Sequence, residues 1–173
     1  NAVQTSAGKL GKGMSFDGNG DYVNVGNGAS LNFTGNDKIA LVAWINPFDN
    51  QATVTDVRIF SQNNGDEILM RFGTDDNDIE CFLNSFSTND RVSSGSSTIV
   101  SGAWNHVACI YNGTVFGIYV NGILKNSVVP TGSYGSVSSW LIGSRSSSSN
   151  SFNGTIDDVM IFNRSLSSDE ILS

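Results

Sequence analysis

At 173 residues with 39% hydrophobic side chains, the chain is long enough to bury one sizeable core without metals or several disulfides to support it. Sixteen Asp and Glu oppose nine Lys and Arg, a net charge of -7 with no basic stripe, so no nucleic-acid partner is expected, because phosphate neutralisation takes clustered cations. No apolar run approaches the roughly 20 residues of a bilayer-crossing helix, so no membrane insertion is expected, and Asn1-Ala2-Val3 carries neither a starting Met nor a signal-peptide pattern, as expected of a processed or excised piece of a longer protein.

Polarity is carried mainly by Ser, Asn, Thr and 19 Gly, with only 2 Pro, a balance that suits short strands joined by tight turns. Period-two alternation begins at Met14-Ser15-Phe16 and continues through Tyr22-Val23-Asn24-Val25 and Ile39 to Ile45, which predicts three strands. Further strands are expected at Val57 to Phe60, Glu67 to Phe72 and Ile79 to Leu83, separated by the turn signals Asn63-Asn64-Gly65 and Asp75-Asp76-Asn77. The second half repeats the habit with Trp104 to Tyr111, Asn112-Gly113, Val115 to Val120, Asn121-Gly122, and Ile123 to Lys125. Asn-Gly supplies the positive φ angles that two-residue hairpins demand. The stretch Ser138 to Gly143 leads into the serine run Ser146 to Ser149, too polar for core and read as a loop. A closing strand, Gly154 to Phe162, precedes a tail in which Ser167 and Glu170 have the spacing of a capping box on one short helical turn.

About a dozen strands with no repeat or linker predict an all-β fold, a two-sheet antiparallel β-sandwich. It is read as a single domain over residues 1–173, its core at about 14–172. Cys81 and Cys109 each lie in a strand-like run. They are either one bridge between neighbouring strands or two buried thiols acting as small apolar side chains, and spacing does not choose. Sequons at Asn32, Asn112, Asn153 and Asn163 allow glycosylation if the source is eukaryotic.

Four stretches, in order, carry a resemblance to a known family. Met14 to Val23 is similar to its opening F-D-G-x-x-D-Y-V segment, and Ala43-Trp44-Ile45-Asn46-Pro47 follows. Trp104-Asn105-His106-Val107-Ala108, with Tyr111-Asn112-Gly113 and Tyr119-Val120-Asn121-Gly122, is similar to its central hairpins. Gly154 to Ser167 is similar to its closing G-x-I-D-D-V segment. Together they resemble the laminin-G-like jelly-roll modules of the concanavalin A-like lectin and glucanase class, relatives of the pentraxins and legume lectins. The resemblance implies a jelly roll whose terminal strands lie side by side. It says little about the ligand, since the family includes glycan binders, adhesion modules and spacers.

The resemblance also suggests a calcium ion (Ca2+) between the first and last motifs. Asp17, Asn19 and Asp21 stand at alternate positions of a Gly-rich turn, and Asp157, with Asp158 as the second candidate, would complete a shell of 6 to 8 oxygens. Asp157 alternates with Val159 and Ile161, so it is expected to share their face, while Asp158 points the other way unless a bulge intervenes. The competing reading has Asp17 and Asp21 capping turns and Asp157 accepting backbone N–H bonds. The run Asp75-Asp76-Asn77-Asp78 is expected to be a solvated hairpin tip, and Asp66 and Glu67 are read the same way.

Glycosidases of this class set two carboxylates on one strand face. Glu67, Glu80 and Glu170 are the only glutamates, and none recurs with a second acid two or four residues away inside an alternating run, so no catalysis is expected. His106, the only histidine, is expected to be structural, and Trp44 and Trp104 to pack in or near the core. Trp140, Arg145 and Asn150, beside the serine-rich loop, form the expected ligand surface. The function expected is a calcium-stabilised binding module of a secreted or cell-surface multidomain protein, taking carbohydrate or a glycoprotein and touching other domains of its parent. A protein adhesion or spacer domain is the first alternative, and a glycosidase or lyase of the same fold the second.

Overall fold

The computed structural model describes residues 1–35, 37–48, 56–62, 68–83, 90–132, 139–145 and 150–171. The expected turn at Asn63-Asn64-Gly65, the acids Asp66 and Glu67, and the serine run 146–149 lie outside the described residues. Strands β1 (Val3–Thr5), β2 (Gly13–Asp17), β3 (Val23–Gly26), β4 (Ile39–Pro47), β5 (Arg58–Gln62), β6 (Leu69–Phe72) and β7 (Ile79–Phe82) fill the first half. Strands β8 (Arg91–Ser93), β9 (Asn105–Tyr111), β10 (Phe116–Val120), β11 (Ile123–Val128), β12 (Trp140–Ile142) and β13 (Asn153–Phe162) follow, with helical turn α1 (Ser168–Ile171). The expected strands are present where described. The three-residue β1 and β8 had not been expected, because three residues are too few to show an alternation.

The strands form two antiparallel sheets, a seven-stranded one in the order β1-β2-β13-β4-β9-β10-β11 and a six-stranded one in the order β3-β12-β5-β6-β7-β8. As the resemblance implied, β2 and β13 are neighbours, with Asn153 opposite Asp17 and Ile156 opposite Met14. Leu41, Ala43 and Ile45 of β4 meet Phe60, Met70 and Trp140 of the other sheet in one buried cluster, the interior of the sandwich. Cys81 of β7 and Cys109 of β9 are joined, with their Cα atoms 6.1 Å apart, so the bridge ties one sheet to the other.

Strand β4 is apolar on both faces. Its even residues Ala40 and Val42 form a second buried cluster with Ala108, Ile110 and Ile171, so the C-terminal turn covers the outside of the seven-stranded sheet. That turn is capped as expected: Glu170 N–H donates to Ser167 Oγ at 3.4 Å and Ser167 N–H to Glu170 Oε2 at 2.9 Å.

Two local expectations are corrected. Among the described residues, only Asn121-Gly122 of the Asn-Gly pairs has both residues at positive φ (51° and 75°). Asn112 instead closes a longer loop, its Oδ1 accepting the N–H groups of Thr114 and Val115. On β13, Asp157 is opposite Trp44 while Met160 is opposite Val42, three residues against two, which is a β-bulge. Asp158 sits in it at φ 45°. The extra residue moves Asp157 off the face of Val159 and Ile161 and onto the outer face with Trp44.

Candidate functional site

The expected metal ligands do not converge. In the 17–21 turn, Asp17 Oδ1 accepts Asn19 N–H at 2.8 Å and Asp21 Oδ2 accepts Asp17 N–H at 3.1 Å. Gly20 N–H donates to Ser151 Oγ. Asp21 is buried. Asp157 is buried too, but its oxygens accept Leu10 N–H at 3.2 Å and Asp158 N–H at 2.9 Å. Since Asn153 is opposite Asp17, Asp157 lies four residues further along, about 13 Å at the usual rise. Oxygens ligating one calcium ion lie within about 5 Å of each other, a span that two aspartate side chains do not reach across that backbone offset. Among the described residues no group of three or more His, Cys, Asp or Glu side chains is placed to hold a metal. The donor set does not fit a shared ion.

The expected ligand surface also divides. Trp140 is fully buried, its ring edge-on to Phe33 and its Nε1–H donating to Leu31 O at 3.1 Å, so it offers no face to a sugar. Its strand, β12, is buried along its whole length, which the adjacent serines hid. Arg145 and Asn150 do come together, around Asp56. Asn150 Nδ2 donates to Asp56 Oδ2 at 3.3 Å and Arg145 Nη1 lies 3.7 Å from the same atom.

Asp56 also pairs with Arg58 and Arg71. Arg71 is opposite Glu80 and bonds it at 2.9 Å, while Arg91 lies 3.3 Å from Glu80 Oε1. Arg71 and Arg91 both stand over the Phe82 ring. Burial opposes the charge on Arg71, but the Asp56 and Glu80 carboxylates outweigh it and raise its pKa. This network occupies the outer face of the six-stranded sheet.

Asp78, expected at a solvated tip, is instead buried, while Asp75 and Asp76 are exposed. Gly73 leaves the room: a Cβ there would strike the Asp78 carboxylate. Burial, and then Glu80 and Asp75, push the Asp78 carboxyl up against the bond from Ser93.

A concavity lies on the other side, against the outer face of the seven-stranded sheet. It has a volume of about 510 Å³. Val42, Trp44, Met160 and Phe162 supply apolar floor, and His106, Asn121 and Asp158 supply polar groups. Leu10 closes it from the N-terminal segment, Leu166 and Ile171 from the C-terminal one. Trp44 and His106 are opposite each other in register, with ring centroids 5.1 Å apart. Burial pushes the His106 imidazole below the usual histidine range, so the ring is neutral near pH 7. Arg164 and Glu170 form a two-point pair at the rim, 2.7 and 3.0 Å.

Sequence alone assigns Trp44 to packing and His106 to a structural role. Parity places them together, but β4 is apolar at both parities, so nothing in the sequence tells which parity faces the partner sheet.

Residues 17–172 match the sequence profile of the concanavalin A-like lectin/glucanases superfamily. The chain belongs to that superfamily. No curated protein matches it by sequence. Domain 4 of AbnA, an extracellular GH43 arabinanase from Geobacillus stearothermophilus solved with arabinotriose, is similar in fold, with 16% identity, TM-score 0.73, and 99% of this chain and 80% of that one covered. The binding domain of Paraclostridial Mosquitocidal Protein 1 has 16% identity and TM-score 0.77, and the match covers 99% of this chain but only 44% of that one. A heptameric SAP-like pentraxin from Limulus polyphemus has 18% identity and TM-score 0.66, covering 91% and 78%. At these identities the likeness concerns fold, and this member of the superfamily must be read from its own site.

Proposed function

We propose that this domain is a non-catalytic carbohydrate-binding module of an extracellular protein, with its sugar site in the cavity on the outer face of the seven-stranded sheet. The observation that carries the reading is the lining: an indole and other apolar groups for the C–H face of a sugar ring, beside a carboxylate, an amide and a neutral imidazole for its hydroxyls. The arabinotriose complex of the AbnA domain supports carbohydrate as the ligand class. The bridge between Cys81 and Cys109 suits an oxidising compartment, which supports an extracellular setting.

Titration calorimetry against oligosaccharides selected on a glycan array tests it. Asp158→Asn keeps a residue type tolerant of positive φ but removes the carboxylate, and is expected to weaken binding about tenfold, the usual worth of a hydrogen bond to a charged group. An array with no binder would overturn the reading in favour of an adhesion or spacer module.

A second reading has one observation behind it. Asp78 and Glu80 stand two residues apart, and their environments differ: burial favours the protonated form of Asp78, while Glu80 takes two guanidinium partners. Such asymmetry is what a glycosidase acid and base require. Both carboxylates are buried, which ranks this reading second. Release of reducing sugar that disappears in Glu80→Gln would promote it.

A further inference from the structure

One cross-strand row adjoins the cavity. Asp157 of β13 is opposite Trp44 of β4, Trp44 is opposite His106 of β9, and Asn121 continues the row, its N–H donating to His106 O at 2.8 Å and its Oδ1 accepting His106 N–H at 2.9 Å. Three strand spacings make the row about 14 Å long. It carries a carboxylate, an indole, an imidazole and an amide on one face, and most of it is covered.

The cover is the N-terminal segment. Lys9 Nζ sits 4.2 Å above the Trp44 ring, and Leu10 N–H donates to Asp157 Oδ2. Gly8 allows the close approach, since a Cβ there would come within 2.6 Å of Asp157 Oδ2. Beside them the His106 ring is buried and its Nδ1 has no hydrogen-bond partner among the described residues. A buried polar atom left unpaired is costly. The cover is held to the row lightly, by one hydrogen bond to a carboxylate and one exposed cation–π contact, with a Leu10 side chain that is 71% exposed; its other hydrogen bond, Gly8 N–H to Gly11 O at 3.2 Å, closes the segment on itself.

We infer that residues 8–10 are a displaceable cover, and that a neutral oligosaccharide bound in the cavity extends onto the Asp157, Trp44, His106 and Asn121 row by lifting Lys9 from the indole and Leu10 from Asp157. The ligand's hydroxyls replace the N–H on Asp157 and reach His106 Nδ1, and a sugar face replaces the ammonium on Trp44. With Asp157 and Asp158 side by side, the opened row repels uronates, so neutral sugars are selected. The inference rests on the proposed sugar site and adds its extent, its selectivity and its gate.

Amide hydrogen exchange by NMR on the full chain tests it, without ligand and saturated with a neutral array-selected oligosaccharide. Ligands usually slow exchange at their site. Here the Leu10 amide is expected to exchange faster at saturation, Lys9→Ala to bind about two- to fivefold tighter, the equivalent of one exposed cation–π contact, and the matching uronate oligosaccharide to bind at least tenfold more weakly. A Leu10 amide that is protected or unchanged while the sugar binds overturns the inference and leaves the sugar site standing. If no sugar binds, the proposed site fails, and the gate is judged on the free protein. Faster Leu10 exchange in both Lys9→Ala and Gly8→Ala supports the cover, and unchanged exchange in Lys9→Ala, which removes an exposed side chain and no core packing, overturns it.

Discussion

His106 shows what a single residue gains from its place. It lies opposite Trp44 with only 8% of its surface exposed, and burial lowers its pKa. An imidazole that stays neutral in the folded chain while the unfolded chain takes up a proton below about pH 6.5 lowers stability as pH falls through that value. The loss stops growing once the native ring is protonated, and nothing is lost above the unfolded value. The melting temperature is therefore expected to fall more steeply between about pH 7.5 and about pH 5.5 in the wild type than in His106→Gln. Parallel curves would show that this imidazole is not a buried neutral group. Asp78 makes the complementary point: one glycine, Gly73, turns what reads as a solvated tip into a buried carboxylate.

At the scale of elements, the bridge between β7 and β9 is the covalent tie between sheets. It closes a separation of 28 residues, which in the chain-entropy account contributes about 3 to 4 kcal/mol. Reduction is expected to lower the melting temperature by about ten degrees for a domain of this size, measured by calorimetry with and without a thiol reductant at matched pH. A change of a degree or two would mean that packing between the sheets already restrains the unfolded chain as much as the bridge does. The bulge in β13 acts in the opposite sense, moving side chains without tying anything. By adding Asp158 it turns Asp157 toward the outer face, where Leu10 N–H meets it.

For the whole molecule, the adjacency of β2 and β13 implied by the family motifs is present, yet adjacency did not bring the acids together. Asp17 and Asp157 lie at opposite ends of the shared ladder. The divided donor set predicts that excess chelator leaves the melting temperature unchanged, and a fall of several degrees would restore a bound cation. The same geometry moves the proposed site. Arg145 and Asn150 join an ion-pair network on one sheet, whereas the cavity lies on the outer face of the other, closed by segments near both ends of the described chain.

Alternation and turn chemistry determined the strands, the Asn121-Gly122 hairpin and the capped C-terminal turn, because each depends on neighbours within a few residues. The number of strands pointed to the sandwich, and the order of the family motifs to its adjacent terminal strands. What only the tertiary structure decided was facing and register: which side of an apolar strand such as β4 looks inward, where a bulge reverses it, and which residues far apart in the chain share a row. Those choices depend on contacts between distant segments. A one-residue change in register exchanges the two faces while leaving the local pattern almost untouched.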